Sequence, residues 1–232
     1  MYIDWSYIIL VLPAIIFSMW ASKKVNSTFQ QYQTQFSSRN ITGAQAARYV
    51  LDRNGLTHIR IETVAGNLTD HFDPRANVIR LSNGVYNNTS TAAIGVACHE
   101  AGHAIQHATN YAPVKIRTAI VPITNLGSKL AGPLIFFGLL LGAFIHFFTF
   151  FAYIGIICFA LCTVFQLVTL PTEFDASKRA LQCIESQGLL VGAELDGAKK
   201  VLSAAAMTYV AALAVSLMQL IHYISILNRR RR

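Results

Sequence analysis

Apolar runs and polar stretches alternate along this chain of 232 residues. Trp5–Ala21 is a run of 17 uncharged residues closed by Lys23 and Lys24. A signal peptide carries positive charge before its apolar run. Here the one early charge is Asp4, the lysines follow, and no small-residue cleavage site is evident. The run is therefore expected to be a retained anchor helix, with Pro13 a site for a kink. Leu130–Leu170 holds 41 residues without a charged side chain. At 1.5 Å per helical residue that is roughly 60 Å, two crossings of a hydrocarbon core about 30 Å thick. The turn is expected around His146–Thr149, where the run is least apolar. Ala204–Leu227 adds 24 uncharged residues diluted by Gln219 and His222. It reads as a fourth span, the other reading being a helix packed on the first three.

Between these runs the pattern changes. After the Gln- and Ser-rich segment Ser22–Asn40, Thr42–Leu51 reads as a helix in which Thr42 and Gln45 form a capping box. Asn54-Gly55 ends it. His58–Val64 alternates apolar and polar residues as a half-buried strand does, Asp73-Pro74-Arg75 marks a turn, and Asn77–Leu81 is a second strand. Ser90–His107 is a long Ala-rich helix. Residues 172–203 read as helical up to Gly188 and again from Ala193. In Val114–Lys129 apolar residues recur at spacings of three and four, as in an interfacial amphipathic helix or in an extension of the following span. No internal repeat is evident. The expected organisation is an anchor at 1–21, a water-exposed part at 22–117, an amphipathic segment and transmembrane hairpin at 118–171, a helix at 172–203, and a last span with a basic tail at 204–232.

Composition sharpens this. Hydrophobic residues make up 53% of the chain and charged residues 13%, about half the charged fraction of a soluble domain. An ordinary cytosolic globule, a disordered chain and a collagen-like rod are excluded. The net charge is +8, of which Arg229–Arg232 contribute four. The remaining basic residues flank apolar segments instead of forming a face for nucleic acid, so the basic character fits a lipid bilayer and no nucleic-acid partner. Cys98, Cys158, Cys162 and Cys183 form no CxxC pair and read as small apolar packing residues.

The chemistry lies in Cys98-His99-Glu100-Ala101-Gly102-His103. His99 and His103 are four apart, so a helix sets both imidazoles on one face, within reach of one ion. Glu100 is rotated by about 100° from His99. It is poorly placed as a ligand beside them and well placed to reach a water at the metal's open position. This is the HExxH arrangement of two ligands and a general base. The apolar flanks bury the helix, and buried ionisable groups need partners. A catalytic zinc site takes a third protein ligand. His107 shares the face but lies about 12 Å along the axis from His99, and Gln106 stands where a chain break would need Gly. Glu173, with Thr172 as its cap and Asp175 two residues on, is the better candidate; the other reading of this acidic pair is compensation of a helix dipole. Two crossings between residues 130 and 170 return Glu173 to the side of His99.

His99-Glu-Ala-Gly-His103-Ala-Ile-Gln, preceded by Asn77-Val-Ile-Arg-Leu-Ser82 and followed by Leu-Pro-Thr-Glu173-Phe-Asp-Ala-Ser177, resembles the YugP-type membrane zinc metallopeptidases. These are related in pattern to the HtpX and CAAX prenyl protease group of gluzincins. The resemblance covers most of the chain. It implies a mainly α membrane protein with about four transmembrane helices and a small α+β zincin-like catalytic domain, built from the HExxH helix and a short β-hairpin. It implies one Zn2+ per chain held by His99, His103 and Glu173, with Glu100 catalytic. In the wider group an Asp follows the third ligand by four residues; Ser177 occupies that position here.

The implied activity is endopeptidase hydrolysis by metal-activated water in a bacterial-type plasma membrane, with membrane-protein quality control as the setting. Tyr86, Tyr111 and Arg179 are candidates to stabilise an oxyanion, and Asn77–Leu81 is either an edge for an extended substrate or a structural hairpin. Substrates are expected to be membrane proteins or membrane-proximal polypeptides; the sequence leaves the oligomeric state open. Nine basic residues near the span ends on the catalytic side, against Arg229–Arg232 on the other, favour a cytoplasmic catalytic part. The competing classes are an inactive zinc-binding membrane scaffold and a small transporter, for which only His146, Gln166, Gln219 and His222 offer polar groups within spans.

Overall fold

The computed structural model describes residues 5–230. Asp4 and the last two arginines of the terminal run, used above, lie outside the described residues. The chain is a mainly α membrane protein with a small mixed sheet. Among the described residues, four helices are long and apolar enough to cross a membrane: Tyr7–Gln33, Ala112–Gly142, His146–Ser186 and Ala193–Arg229. The chain divides into two compact units. One comprises the described part of Met1–Trp20, Lys115–Leu170 and the described part of Thr208–Arg232; the other comprises Ala21–Val114 and Pro171–Met207.

The first unit holds the apolar portions of four helices. A π-helical turn, Tyr7–Val11, runs into α1 (Leu12–Gln33), and Leu12 N–H donates to the Tyr7 carbonyl. The wide turn falls beside Pro13, which has no N–H to give, and the helix continues past it as α1. Helix α5 (Ala112–Gly142) continues through Pro122 and Pro133. Residues 114–129 are thus one helix with the span that follows. A short turn of 3₁₀ helix at His146–Phe148 leads into α6 (Thr149–Ser186), where the turn was expected. Helix α7 is Ala193–Arg230. Thr163 and Ser216 hydroxyls, 2.7 Å apart, tie α6 to α7, and Ser6 Oγ lies 3.0 Å from His222 Nδ1.

The second unit has its own core. Helix α2 (Gly43–Arg53) starts at the expected capping box: Gln45 N–H donates to Thr42 Oγ1, and Thr42 N–H to Gln45 Oε1. Strands β1 (Arg60–Val64), β2 (His71–Asp73) and β3 (Val78–Ser82) form a sheet in the order β1-β3-β2. A short helix α3 (Asn83–Tyr86) precedes α4 (Thr91–Ala108), whose N-cap Ser90 accepts from Ala93 N–H. Val50, Leu51, Ile79, Leu81, Ile94, Cys98 and Ile184 are fully buried together.

The sheet corrects two expectations. The predicted strands pair parallel, Ile61 opposite Ile79, and the hairpin is made by β3 with β2, whose three residues are too few to show a period in sequence. β3 has a partner on each side, so Asn77–Leu81 is not an edge on which a substrate pairs: its backbone groups already serve β1 and β2.

Candidate metal centre

Helix α4 lies deep because its packing residues are small. Ala92, Ala93, Ala97 and Ala101 are fully buried, and Gly102 faces the backbone of Ala176 on α6 so closely that a Cβ there would overlap the Ala176 carbonyl oxygen. This approach sets the His-Glu segment of α4 against residues 173–177 of α6. Glu173 is 2% exposed and Glu100 is 7% exposed.

The structure brings His99, His103 and Glu173 together. His99 Nε2 and His103 Nε2 are 3.1 Å apart, and each lies 3.3 Å from Glu173 Oε2. Bare, two half-buried imidazole nitrogens facing each other and one buried carboxylate oxygen form a poor hydrogen-bonding set. As ligands they fit. A tetrahedral zinc ion with bonds of about 2.0–2.1 Å keeps its ligand atoms roughly 3.3–3.4 Å apart, so the three atoms match one face of such a tetrahedron. They form the described residues' one group of three or more His, Cys, Asp and Glu close enough to hold a metal.

Each imidazole is oriented from behind. Ser177 Oγ is 3.1 Å from His99 Nδ1, and Gln106 Oε1 is 3.0 Å from His103 Nδ1. With the proton on Nδ1 donated to these oxygens, both Nε2 lone pairs are turned to the metal position. Gln106 is fully buried, and its amide donates to the Thr172 carbonyl at 2.7 Å and to Asp175 Oδ2 at 2.8 Å. Arg179 Nε donates to the same Asp175 oxygen at 2.6 Å, and its guanidinium lies 5.5 Å from the centre of the Tyr111 ring. A chain Arg179–Asp175–Gln106–His103 therefore joins α6 to α4. Burial works against protonation of His103, but its hydrogen bond to Glu173 and the charges of Glu100 and Glu173 outweigh this and raise its pKa above the ordinary 6.5.

Several expectations change here. Thr172 does not cap a new helix: α6 runs unbroken through Pro171, and Thr172 is buried with its carbonyl taken by Gln106. The reading of Glu173 and Asp175 as compensation of a helix N-terminus falls with that cap. His107 is exposed, its ring 6.0 Å from that of Phe72, as its distance along the helix implied. Tyr86 lines a groove with Gln45, Arg48 and Ile61. The orienting role of Gln106 was missed. Its signal was a lone amide one turn beyond His103, on the same helix.

The family model described as "Putative neutral zinc metallopeptidase" matches residues 7–228. A curated relative, "Putative membrane protease YugP" of Bacillus subtilis (strain 168), is 46% identical over 225 residues, 97% of this chain and 98% of the relative. No solved structure matches the chain.

Proposed function

Since the chain belongs to the neutral zinc metallopeptidase family, we propose that it is a membrane-embedded endopeptidase in which His99, His103 and Glu173 hold one zinc ion and Glu100 is the general base. The observation that carries this reading is the triangle of Nε2, Nε2 and Oε2 atoms with edges of 3.1, 3.3 and 3.3 Å.

Bound zinc supplies Lewis-acid polarisation of a carbonyl and acidifies water at its open position. The residues of the chain do the rest. Ser177 and Gln106 hold the imidazole tautomers, and Glu173 provides the negative ligand. Glu100, on the same helix as both histidines and nearly buried, takes a proton from the attacking water and returns it to the departing amine. Arg179 is held by Asp175 and Tyr111, which supports a part in the ligand scaffold over a part as free oxyanion donor.

The proposed clients are membrane proteins and membrane-proximal chains, with quality control as the setting. The basic residues Lys23, Lys24, Lys115, Arg117, Lys178, Lys199 and Lys200 support a cytoplasmic catalytic part; a reporter inserted after Gly66 tests it, and an external signal there contradicts it. The activity itself is tested by cleavage of a disordered polypeptide. Chelator-sensitive cleavage that disappears in Glu100→Gln, with zinc retained, supports the proposal; equal cleavage by wild type and Glu100→Gln contradicts it.

A further inference from the structure

The packing of α5 on α6 fixes the depth of every residue in that hairpin. A Cβ on Gly142 would meet Thr149, one on Gly138 would overlap Ala152, one on Gly155 would meet Ile135 and Ala131, and one on Gly127 would meet the Cys158 carbonyl. The helices are therefore antiparallel in a known register, and Lys129, between Gly127 and Ala131, lies level with Gly155–Cys158. The apolar stretch of α6, Thr149–Leu170, is about 33 Å long. Lys129 is about 9–14 Å from the turn end counted along α6, about 20 Å counted along α5 to Gly142, and about 18–23 Å from the Leu170 end. Lys115 and Arg117, at least 12 positions earlier on α5, mark the polar boundary at roughly the Leu170 level. Lys129 thus stands inside the hydrocarbon layer and is not one of the span-end cations with which the sequence reading counts it.

The cation does not face the hairpin. Thr124, Gly127, Ala131, Ile135 and Gly138 are the buried face of α5, whereas Asn125, Ser128 and Lys129 are exposed on the other. A Cβ on Gly132, one turn on, would meet nothing. A helical side chain tilts toward its helix N-terminus, which here is the more distant boundary. A lysine stem reaches on the order of 6 Å, too little to snorkel out at either end. A cation at this depth calls for a partner. The chain itself has no Asp or Glu between Asp4 and Asp52 or between Glu100 and Glu173, and none after Asp196, so neither its own spans nor those of a second copy bring a carboxylate to this level.

We propose that Asn125, Ser128 and Lys129 form an intramembrane docking face for a transmembrane segment of another protein that carries an Asp or Glu within its apolar run. The carboxylate pairs with Lys129 and accepts from the Asn125 amide. Ser128 Oγ, whose proton is donated to the Asn125 carbonyl at 3.0 Å, keeps this part of the face polar, and Gly132 admits close approach of the partner helix. The inference stands on the spans alone and does not require the peptidase reading.

The test uses the full chain in phosphatidylcholine–phosphatidylglycerol vesicles, with energy transfer to labelled Leu/Ala-rich transmembrane peptides bearing a central Glu, Leu or Lys. The central-Glu peptide is expected to associate at least about ten-fold more tightly than the central-Leu peptide. Lys129→Leu removes that difference, and Lys129→Glu transfers the preference to the central-Lys peptide, while zinc content stays at the wild-type level in both variants. Equal association of the Glu and Leu peptides with wild type overturns the proposal, and this comparison decides alone if a variant fails to fold. A Glu preference that survives in Lys129→Leu also overturns it. So does self-association of the chain that Lys129→Leu abolishes, which would give the face to a second copy.

Discussion

Ser177 Oγ lies 3.1 Å behind Nδ1 of His99, on the side of the ring away from the Nε2 that faces Glu173. A hydroxyl holds the tautomer but adds no charge. Ser177→Ala is expected to weaken zinc binding by about ten-fold, read by competition with a chromogenic chelator. Ser177→Asp is expected to bind at least as tightly as wild type. Unchanged affinity in Ser177→Ala would remove the hydroxyl from the site.

Gln106 makes three hydrogen bonds from a fully buried position. Gln106→Leu removes the amide donor from the Thr172 carbonyl and from Asp175 Oδ2, and leaves His103 Nδ1 without its acceptor. The expected cost is about 1–3 kcal/mol per unsatisfied buried group, together with weaker zinc binding. Chemical denaturation in detergent with and without zinc measures both. A variant as stable as wild type in both states would contradict the network.

Gly102 and Gly132 make an internal contrast. A side chain at Gly102 drives into the Ala176 backbone, whereas Gly132 has open space around it. Gly102→Val is expected to separate α4 from α6 and lose zinc, and Gly132→Ala to leave zinc content unchanged and strengthen the helix by up to about 1 kcal/mol. Zinc analysis of the two purified variants checks this.

The pH dependence has a definite sign. The pKa of His103 is raised in the folded, metal-free chain. Its contribution to metal-free stability is therefore fully present below the unfolded value of 6.5 and is lost as pH rises through the folded value. Zinc requires the neutral ring, so apparent zinc affinity falls as pH drops through that raised value and binding releases protons. Chelator competition between roughly pH 6 and pH 8 should show affinity rising with pH; a flat profile contradicts it.

Much of this was legible in the sequence because short-range patterns set it. The Thr42–Gln45 box, the Ala-rich α4 and the spans depend on local capping, periodicity and length. His99 and His103 share a face by helical geometry alone, and the choice of Glu173 over His107 followed from the same rise per residue. What was not legible depends on contacts distant in sequence. β2 is too short to declare itself, and the parallel pairing of β1 with β3 is a tertiary choice. Thr172 read as a cap with Glu173 opening a helix, yet α6, packed on α4 at Gly102, continues through Pro171. The roles of Ser177 and Gln106 follow from a helix crossing that no local pattern encodes.

Joint coordination of one zinc ion by two residues of α4 and one of α6 is decided by the zinc content of the purified full chain, measured beside His99→Ala, His103→Ala and Glu173→Ala. One zinc per wild-type chain and loss of stoichiometric zinc in each variant are expected. Full zinc retention in Glu173→Ala would take the α6 carboxylate out of the site.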